Sequence, residues 1–272
     1  ELLAARDMDG AEQYFTSAYE FGFSKSMDEA LQVWDRKKVL ADAVWVIRNY
    51  KPDVIIARFP PDARAGHGHH SASAQIAREA FDAAADPNQF PEQLANGVTV
   101  WQAKRLLWNT FNFGGANTQR DDQFKLECGE YNAVLGKSYG EIAATSRSMH
   151  KSQGFGVPAQ RGSVIEYFKT IKGDAPVTDL MEGVDISWTR SYAAGAAKTL
   201  SKKTDQLLNN YSIDAPANSV PALVSLYKTI EELKVNDTYW KEKKLDEIKK
   251  AIANCSGLFM EAVSNTQFAV QG

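Results

Sequence analysis

The apolar residues Val33, Leu40, Val44 and Ile47 recur at helical spacing with charges between them, which predicts a helix from Val33 to Tyr50. Pro52 ends it, because the residue before a proline is driven out of the helical region. The next run, Asp53-Val-Ile-Ile-Ala57, is β-branched and does not alternate. That is the pattern of a strand covered on both faces, as parallel strands are. A polar loop follows, and then a second helix over Ser71–Ala84 with Ala72, Ile76, Ala80 and Phe81 as its apolar stripe, ending before Asp86-Pro87. Helix, buried strand, polar loop and helix make an α/β unit. Ligands in such sheets sit at the carboxyl ends of the strands. The helix start near Ser71 would add backbone N–H groups to hold an anion or a substrate oxygen.

Further strands are expected at Lys104–Phe111, Phe124–Cys128 and Val164–Ile171, with a loop over Asn112–Gln119. Ser138-Tyr-Gly-Glu141 has the spacing of a capping box and opens a helix toward His150. Past Gly173-Asp-Ala-Pro176 the pattern becomes helical, with segments about Ser187–Asn210, Ser219–Lys234 and Asp237–Cys255. In the last, Asp237 is the expected cap, Leu245, Ile248 and Ile252 form the stripe, and Gly257 marks the stop. Leu258–Val263 reads as the start of a strand. The organisation is therefore an incomplete α/β domain over 1–172, a helical extension over 173–257, and a further strand or linker over 258–272.

A length of 272 residues suits one large α/β domain or a domain with an appendage. With 44% hydrophobic and 24% charged residues, the chain reads as an ordinary globular protein. A net charge of −3 leaves no electrostatic footprint for nucleic acid or an anionic membrane surface. The basic run Lys241–Lys250 is interleaved with acids, as on a solvated helix face. Cys128 and Cys255 lie far apart, which argues against a disulfide scaffold or a thiolate zinc site. No apolar run is long enough to span a membrane. There is no Gly-x-Gly-x-x-Gly after a strand and no phosphate-binding P-loop, which excludes the common nucleotide-binding fingerprints. The chain opens at Glu1 in "ELLAARDMDG", an uncapped helical pattern that reads as cut.

The candidate chemistry lies in the loop "RFPPDARAGHGHH", which holds three of the four histidines as His67-Gly-His-His70. A catalytic zinc takes three nitrogen or carboxylate ligands and keeps an open position for water. The metal lowers the pKa of that water, and a carboxylate takes its proton. His67 and His70, three apart around a glycine-containing turn, are placed to converge, whereas His69 is expected to point elsewhere. A polar surface loop is the competing reading of the same residues. Arg64 and His150 are candidate substrate contacts at the rim. His150 also suits a helix C-terminus, and Arg64 suits a solvated loop.

Three segments together resemble the PIG-L, or LmbE-like, family of zinc-dependent N-acetylglucosamine deacetylases. "KPDVIIARFPPDARAGHGHHSASAQIAREAFDAA" is similar to the family's strand leading to His-x-x-His, usually His-Pro-Asp-His. "SRSMHKSQGFG" resembles its later His-x-Ser-Gln segment. The opening "ELLAARDMDGAEQYFTSAYEFGF" resembles its helix beginning Arg-x-x-Glu-Leu and ending in a hydrophobic strand. The match covers about residues 1–170, with the segments in the family's order. The helical extension looks like that of the long, multi-domain members of Bacteroidetes type.

The resemblance implies a Rossmann-like, mostly parallel sheet and removal of N-acetyl groups from amino sugars or their conjugates. It implies His70 as a ligand to Zn2+ or another divalent metal, and His67 as the group that steadies the tetrahedral intermediate. His69 stands where the family usually has aspartate. The family's first signature, His-Pro-Asp-Asp, supplies the other ligands and the base, and these 272 residues contain no such motif. Two readings follow. One is a deacetylase whose first strands, and a β domain after the extension, lie outside this sequence. The other is a non-catalytic binding or structural subunit of a cell-envelope assembly, with protein partners. The family type also implies export to the periplasm or cell surface.

Overall fold

The computed structural model describes residues 1–113, 115–132, 135–154, 156–235, 238–264 and 267–271, with side chains up to residue 258. The chain forms two compact units, Glu1–Val184 and Asp185–Gly272.

The first unit begins with α1 (Leu2–Asp9), followed by irregular chain and then α2 (Met27–Val33) and α3 (Arg36–Tyr50). Next come β1 (Val54–Ala57), α4 (Gly68–Ala83) and α5 (Pro91–Ala95). β2 (Arg105–Thr110) leads to a small hairpin, β3 (Asn112–Phe113) with β4 (Ala116–Asn117), and then to β5 (Phe124–Glu127). A second small pair, β6 (Tyr131–Asn132) with β7 (Lys137–Ser138), precedes α6 (Tyr139–Arg147) and β8 (Ile165–Gly173).

The main sheet has the order β1-β2-β8-β5 and is mixed. β1 pairs with β2 in parallel, from Val54↔Arg105 to Ala57↔Trp108. β8 runs antiparallel to both β2 and β5. The unit is thus α/β, with the helices supplying the cover. α3 and α4 close on each other through Val44, Ile47, Ala80 and Ala83, and α2 closes on α4 through Ala30, Leu31, Ala72 and Ile76. Phe81 of α4 meets Leu106 of β2 and, with Ile55 and Ala57, seals α4 to the sheet. These small alanine contacts let the helices approach closely.

Several expectations are corrected. The helix expected over Val33–Tyr50 is present but starts at Arg36, because the chain breaks at Trp34-Asp35 and Val33 closes α2. Asp35 takes a left-handed φ of 56° and caps α3, its side chain accepting from the Lys38 N–H at 3.4 Å. The buried Trp34 donates its indole N–H to the Tyr19 carbonyl at 2.7 Å, so the chain turns to seat that ring. β1 is not covered on both faces, since Ile56 is 47% exposed while Ile55 packs inward. The loop over 112–119 contains the β3–β4 hairpin. Residues 11–26 hold no strand, although the resemblance implied one at the end of this segment. The capping box at Ser138 is present in both directions, with the Ser138 side chain accepting from the Glu141 N–H and Glu141 accepting from the Ser138 N–H.

Two buried arginines act as internal ties. Arg48 of α3 contacts the carbonyls of Ala83, Ala84, Asp86, Gln89 and Phe90 and the side chain of Gln93, all at 2.8–3.2 Å. At the end of α4, where helix geometry leaves carbonyls without intrahelical partners, it adds a donor to those of Ala83 and Ala84 beside the backbone N–H groups of Asp86 and Trp101. Arg105 donates to the Leu180 and Glu182 carbonyls, each at 2.6 Å, which ties the last residues of the first unit to β2.

The second unit is built from α7 (Ala194–Asn209), α8 (Val220–Glu232) and α9 (Thr238–Ser256). Leu200, Leu223, Leu226, Ile230, Ile248 and Ile252 make its core, with Leu245 packed against it, as the stripe on α9 predicts. α7 starts later than Ser187 because Ser187 caps a separate single turn over Trp188–Arg190. Gly257 takes a φ of 66° after α9, as a helix stop requires, while the expected cap Asp237 lies outside the described residues. Beyond it, β9 (Phe259–Ser264) pairs antiparallel with β10 (Gln267–Gln271).

Candidate functional site

The site forms where β1 runs out and α4 begins. After Ala57 the chain passes Pro60-Pro61 into a single turn over Ala63–Ala65, capped by Asp62, which accepts from the Arg64 N–H at 3.0 Å. Gly66 has a φ of 73°, a conformation glycine adopts without steric penalty, and it reverses the chain into the helix start. His67 is the N-cap of α4, with φ −146° and ψ 137°. The histidines are therefore on the first helical turn, three residues ahead of the start expected at Ser71.

Gly68 explains how the irregular segment 24–26 reaches this turn. Its N–H donates to the Ser24 carbonyl at 3.0 Å, and a Cβ there would lie 2.2 Å from the Ser26 carbonyl oxygen. This close approach brings the buried Ser24 hydroxyl between two imidazoles. Ser24 Oγ is 3.0 Å from His67 Nδ1 and 2.7 Å from His69 Nδ1, and the two nitrogens are 2.9 Å apart. The His69 backbone N–H also donates to Ser24 Oγ, at 2.8 Å.

The expectation that His69 points elsewhere is overturned. Its ring centroid is 4.7 Å from that of His67, closer than the 5.3 Å between His67 and His70. Ser24 holds it there, and Phe21 and Trp34 enclose it with ring centroids at 4.4 and 4.9 Å. Burial pushes the His69 pKa down; Glu20 opposes this, and His67 and His70 add to it. The neutral ring is thereby favoured, and its Nε2 is buried with no hydrogen-bond partner.

His70 is exposed and differently tied. Its Nδ1 lies 3.1 Å from the Ala65 carbonyl, and its ring stacks on Phe59 at 3.9 Å and 2°. A carbonyl can only accept, so neutral His70 carries its proton on Nδ1 and presents a bare Nε2. Phe23 stands edge-on to His67 at 4.9 Å. Arg64 pairs with Asp62 at 2.6 Å, with its guanidinium 5.1 Å from the Trp108 ring.

His150 is not gathered with the other three. It precedes a single turn, Lys151–Gln153, that Glu1 holds by accepting from the Ser152 N–H and hydroxyl at 2.7 Å each. Ser24, Phe59 and Phe23 were missed from the sequence. Phe59 stood in the quoted loop, but Ser24 is 43 positions from His67 and carries no local signal.

A metal can be tested against this arrangement. His70, with Nδ1 tied and Nε2 bare, has the form of a zinc-ligating histidine. Among the described residues, however, no three His, Cys, Asp or Glu side chains form a group able to hold a metal ion. The residues present fit one ligand position rather than a complete set. No helix among the described residues is long and apolar enough to cross a membrane. No family model, curated protein or solved structure matches this chain.

Proposed function

We propose that the first unit carries the His-x-x-His half of a PIG-L-type, zinc-dependent N-deacetylase acting on N-acetylglucosamine-type sugars or conjugates, on a Rossmann-like sheet. The observation that carries this reading is the His70 imidazole, tied at Nδ1 to the Ala65 carbonyl and bare at Nε2. A bound zinc would polarise the amide carbonyl and supply water of lowered pKa. Within this chain, His70 is the ligand. His67 hydrogen-bonds the oxygen that gains charge at the reacting carbon and passes a proton toward the departing amine. Arg64 contacts the substrate at the rim. No carboxylate hydrogen-bonds His67 or His70 among the described residues, and on this reading the base and remaining ligands would be those of the family's His-x-Asp-Asp segment, which these residues do not contain.

Ser24 does not offer a serine-hydrolase alternative, because a hydroxyl with 0% of its residue exposed cannot meet an external carbonyl. A second reading, a binding or structural subunit that keeps the fold without the chemistry, needs no more metal ligands than the described residues supply. Equilibrium dialysis against zinc, followed by metal analysis, separates the two. The deacetylase reading predicts weak zinc uptake that His70→Ala abolishes, and acetate release from N-acetylglucosamine conjugates by the longest natural form of the protein. Equal zinc uptake by the chain and by His70→Ala would remove His70 as ligand and leave the subunit reading.

A further inference from the structure

Three polar atoms close a triangle beside the proposed ligand: Ser24 Oγ, His67 Nδ1 and His69 Nδ1, with edges of 3.0, 2.7 and 2.9 Å. Few proton arrangements fit it. With both rings neutral, two bare Nδ1 atoms would turn lone pairs on each other, and the single hydroxyl proton could serve only one of them. Two protonated Nδ1 atoms would need two acceptor sites on Ser24. That oxygen has two, and one is already taken by the His69 backbone N–H at 2.8 Å. One Nδ1 must therefore carry a proton and the other must be bare. Ser24 then accepts from the first and donates to the second, and its hydrogen-bonding capacity is filled.

The buried end of His69 decides which ring is which. Its Nε2 has no partner. If that atom carried the proton, an N–H would be orphaned in an apolar pocket between Phe21 and Trp34. An unpaired buried acceptor is the more tolerable defect, and orphaned buried N–H groups are rare. The proton of His69 therefore sits on Nδ1. The relay runs from His69 Nδ1–H to Ser24 Oγ, and from the Ser24 hydroxyl to a bare His67 Nδ1.

We propose that Ser24 and His69 are positioning residues that hold neutral His67 in its Nε2–H form. His67 then presents a donor and His70 a lone pair, two complementary atoms on neighbouring faces of one helical turn. Which oxygen His67 serves rests on the deacetylase reading. The tautomer assignment does not, and it holds in the metal-free protein.

Long-range proton–nitrogen correlation spectra of the uniformly labelled full chain test this directly, at a pH above the ordinary imidazole range. With four histidines, each signal can be assigned by its loss in a single His→Gln variant. The expected result is His69 and His70 protonated at Nδ1 and His67 at Nε2. The Nδ1–H form of His69 is the telling signal, since a solvated neutral histidine prefers Nε2–H. Ser24→Ala should spread His67 over both tautomers, and Ser24→Thr should restore one. His69 found as Nε2–H, or His67 as Nδ1–H, would overturn the assignment, as would a His67 spectrum unchanged in Ser24→Ala. The wild-type spectrum decides even if the Ser24 variants fail to fold. Zinc uptake is the separate readout: His67→Ala should retain it, and its loss there would count against the division of roles. A correct tautomer pattern with no acetate release by the longest natural form of the protein would sink the deacetylase reading alone.

Discussion

The α-carbon of Gly68 lies so close beneath the carbonyl oxygen of Ser26 that a Cβ on it would stand 2.2 Å away. Backbone is on the other side of that contact, so nothing flexible can move aside. Gly68→Ala should lift segment 24–26 from the first turn of α4 and withdraw Ser24 from the histidines. We expect a loss of about 3 kcal/mol, the upper end for overpacking, read from denaturant midpoints. The His67 and His69 tautomers should become mixed in the same variant. Wild-type stability and an unchanged spectrum would show that the close approach does not organise the site.

Arg48 is fully buried and meets five backbone carbonyls and one side-chain oxygen around the end of α4. Burial pulls its pKa down, with Asp86 and Glu92 opposing. Arg48→Met keeps the apolar stem but takes the donor from the Gln89 carbonyl and the Gln93 side-chain oxygen, each worth about 1–3 kcal/mol when left unpaired, while the carbonyls of Ala83, Ala84, Asp86 and Phe90 keep backbone N–H partners. A destabilisation of at least about 3 kcal/mol is expected in urea titrations. Arg48→Lys should recover only part of it, because an ammonium cannot span the same fork. Full recovery by lysine would show that charge alone, not geometry, matters there.

Asp9 ties α1 to α6. Hydrogen bonds from Arg6 first, then from the Ala11 N–H and the Ser146 hydroxyl, hold its carboxyl well below the usual range despite some burial. A carboxylate with a depressed folded pKa stabilises the fold above its unfolded pKa of about 3.9, and that contribution is lost as pH falls through the folded value. Asp9→Asn should therefore cost about 1 kcal/mol at neutral pH, since the partly exposed pair is screened. The difference from wild type should stay constant down to about pH 5 and shrink below it. A gap that widens with acid would contradict this sign.

Phe59 stacks on His70 at 3.9 Å, and with the Ala65 carbonyl it restrains the ring from two sides. Hydrogen-bonded partners that orient a ligand change metal affinity about 10–100-fold when lost, and a stacked ring restrains the same rotation without a hydrogen bond. Phe59→Ala should weaken zinc uptake by about 10-fold at most, the low end of that range, while the His70 signal stays protonated at Nδ1. Unaltered affinity would mean that the Ala65 hydrogen bond suffices.

The chain pattern alone was enough to place the strand before the histidines, the capping box at Ser138 and the stripe of α9, because each depends on neighbours within about one helical turn or one strand. That His67 and His70 share one turn of the chain could also be drawn from their spacing. The break at Trp34-Asp35 was not legible, since it follows from the indole reaching the Tyr19 carbonyl. Neither was the exposed face of Ile56, which depends on what covers β1, or the separation of His150 from the other histidines. The inward turn of His69 was hidden for the same reason: its partner Ser24 is 45 positions away and arrives only because Gly68 lets the backbone in. Local periodicity thus determined the elements and named the histidines, whereas long-range packing decided which nitrogen of each ring faces outward. Hydrogen bonds between distant segments exist only after the chain has folded, and they set which ring nitrogens carry protons.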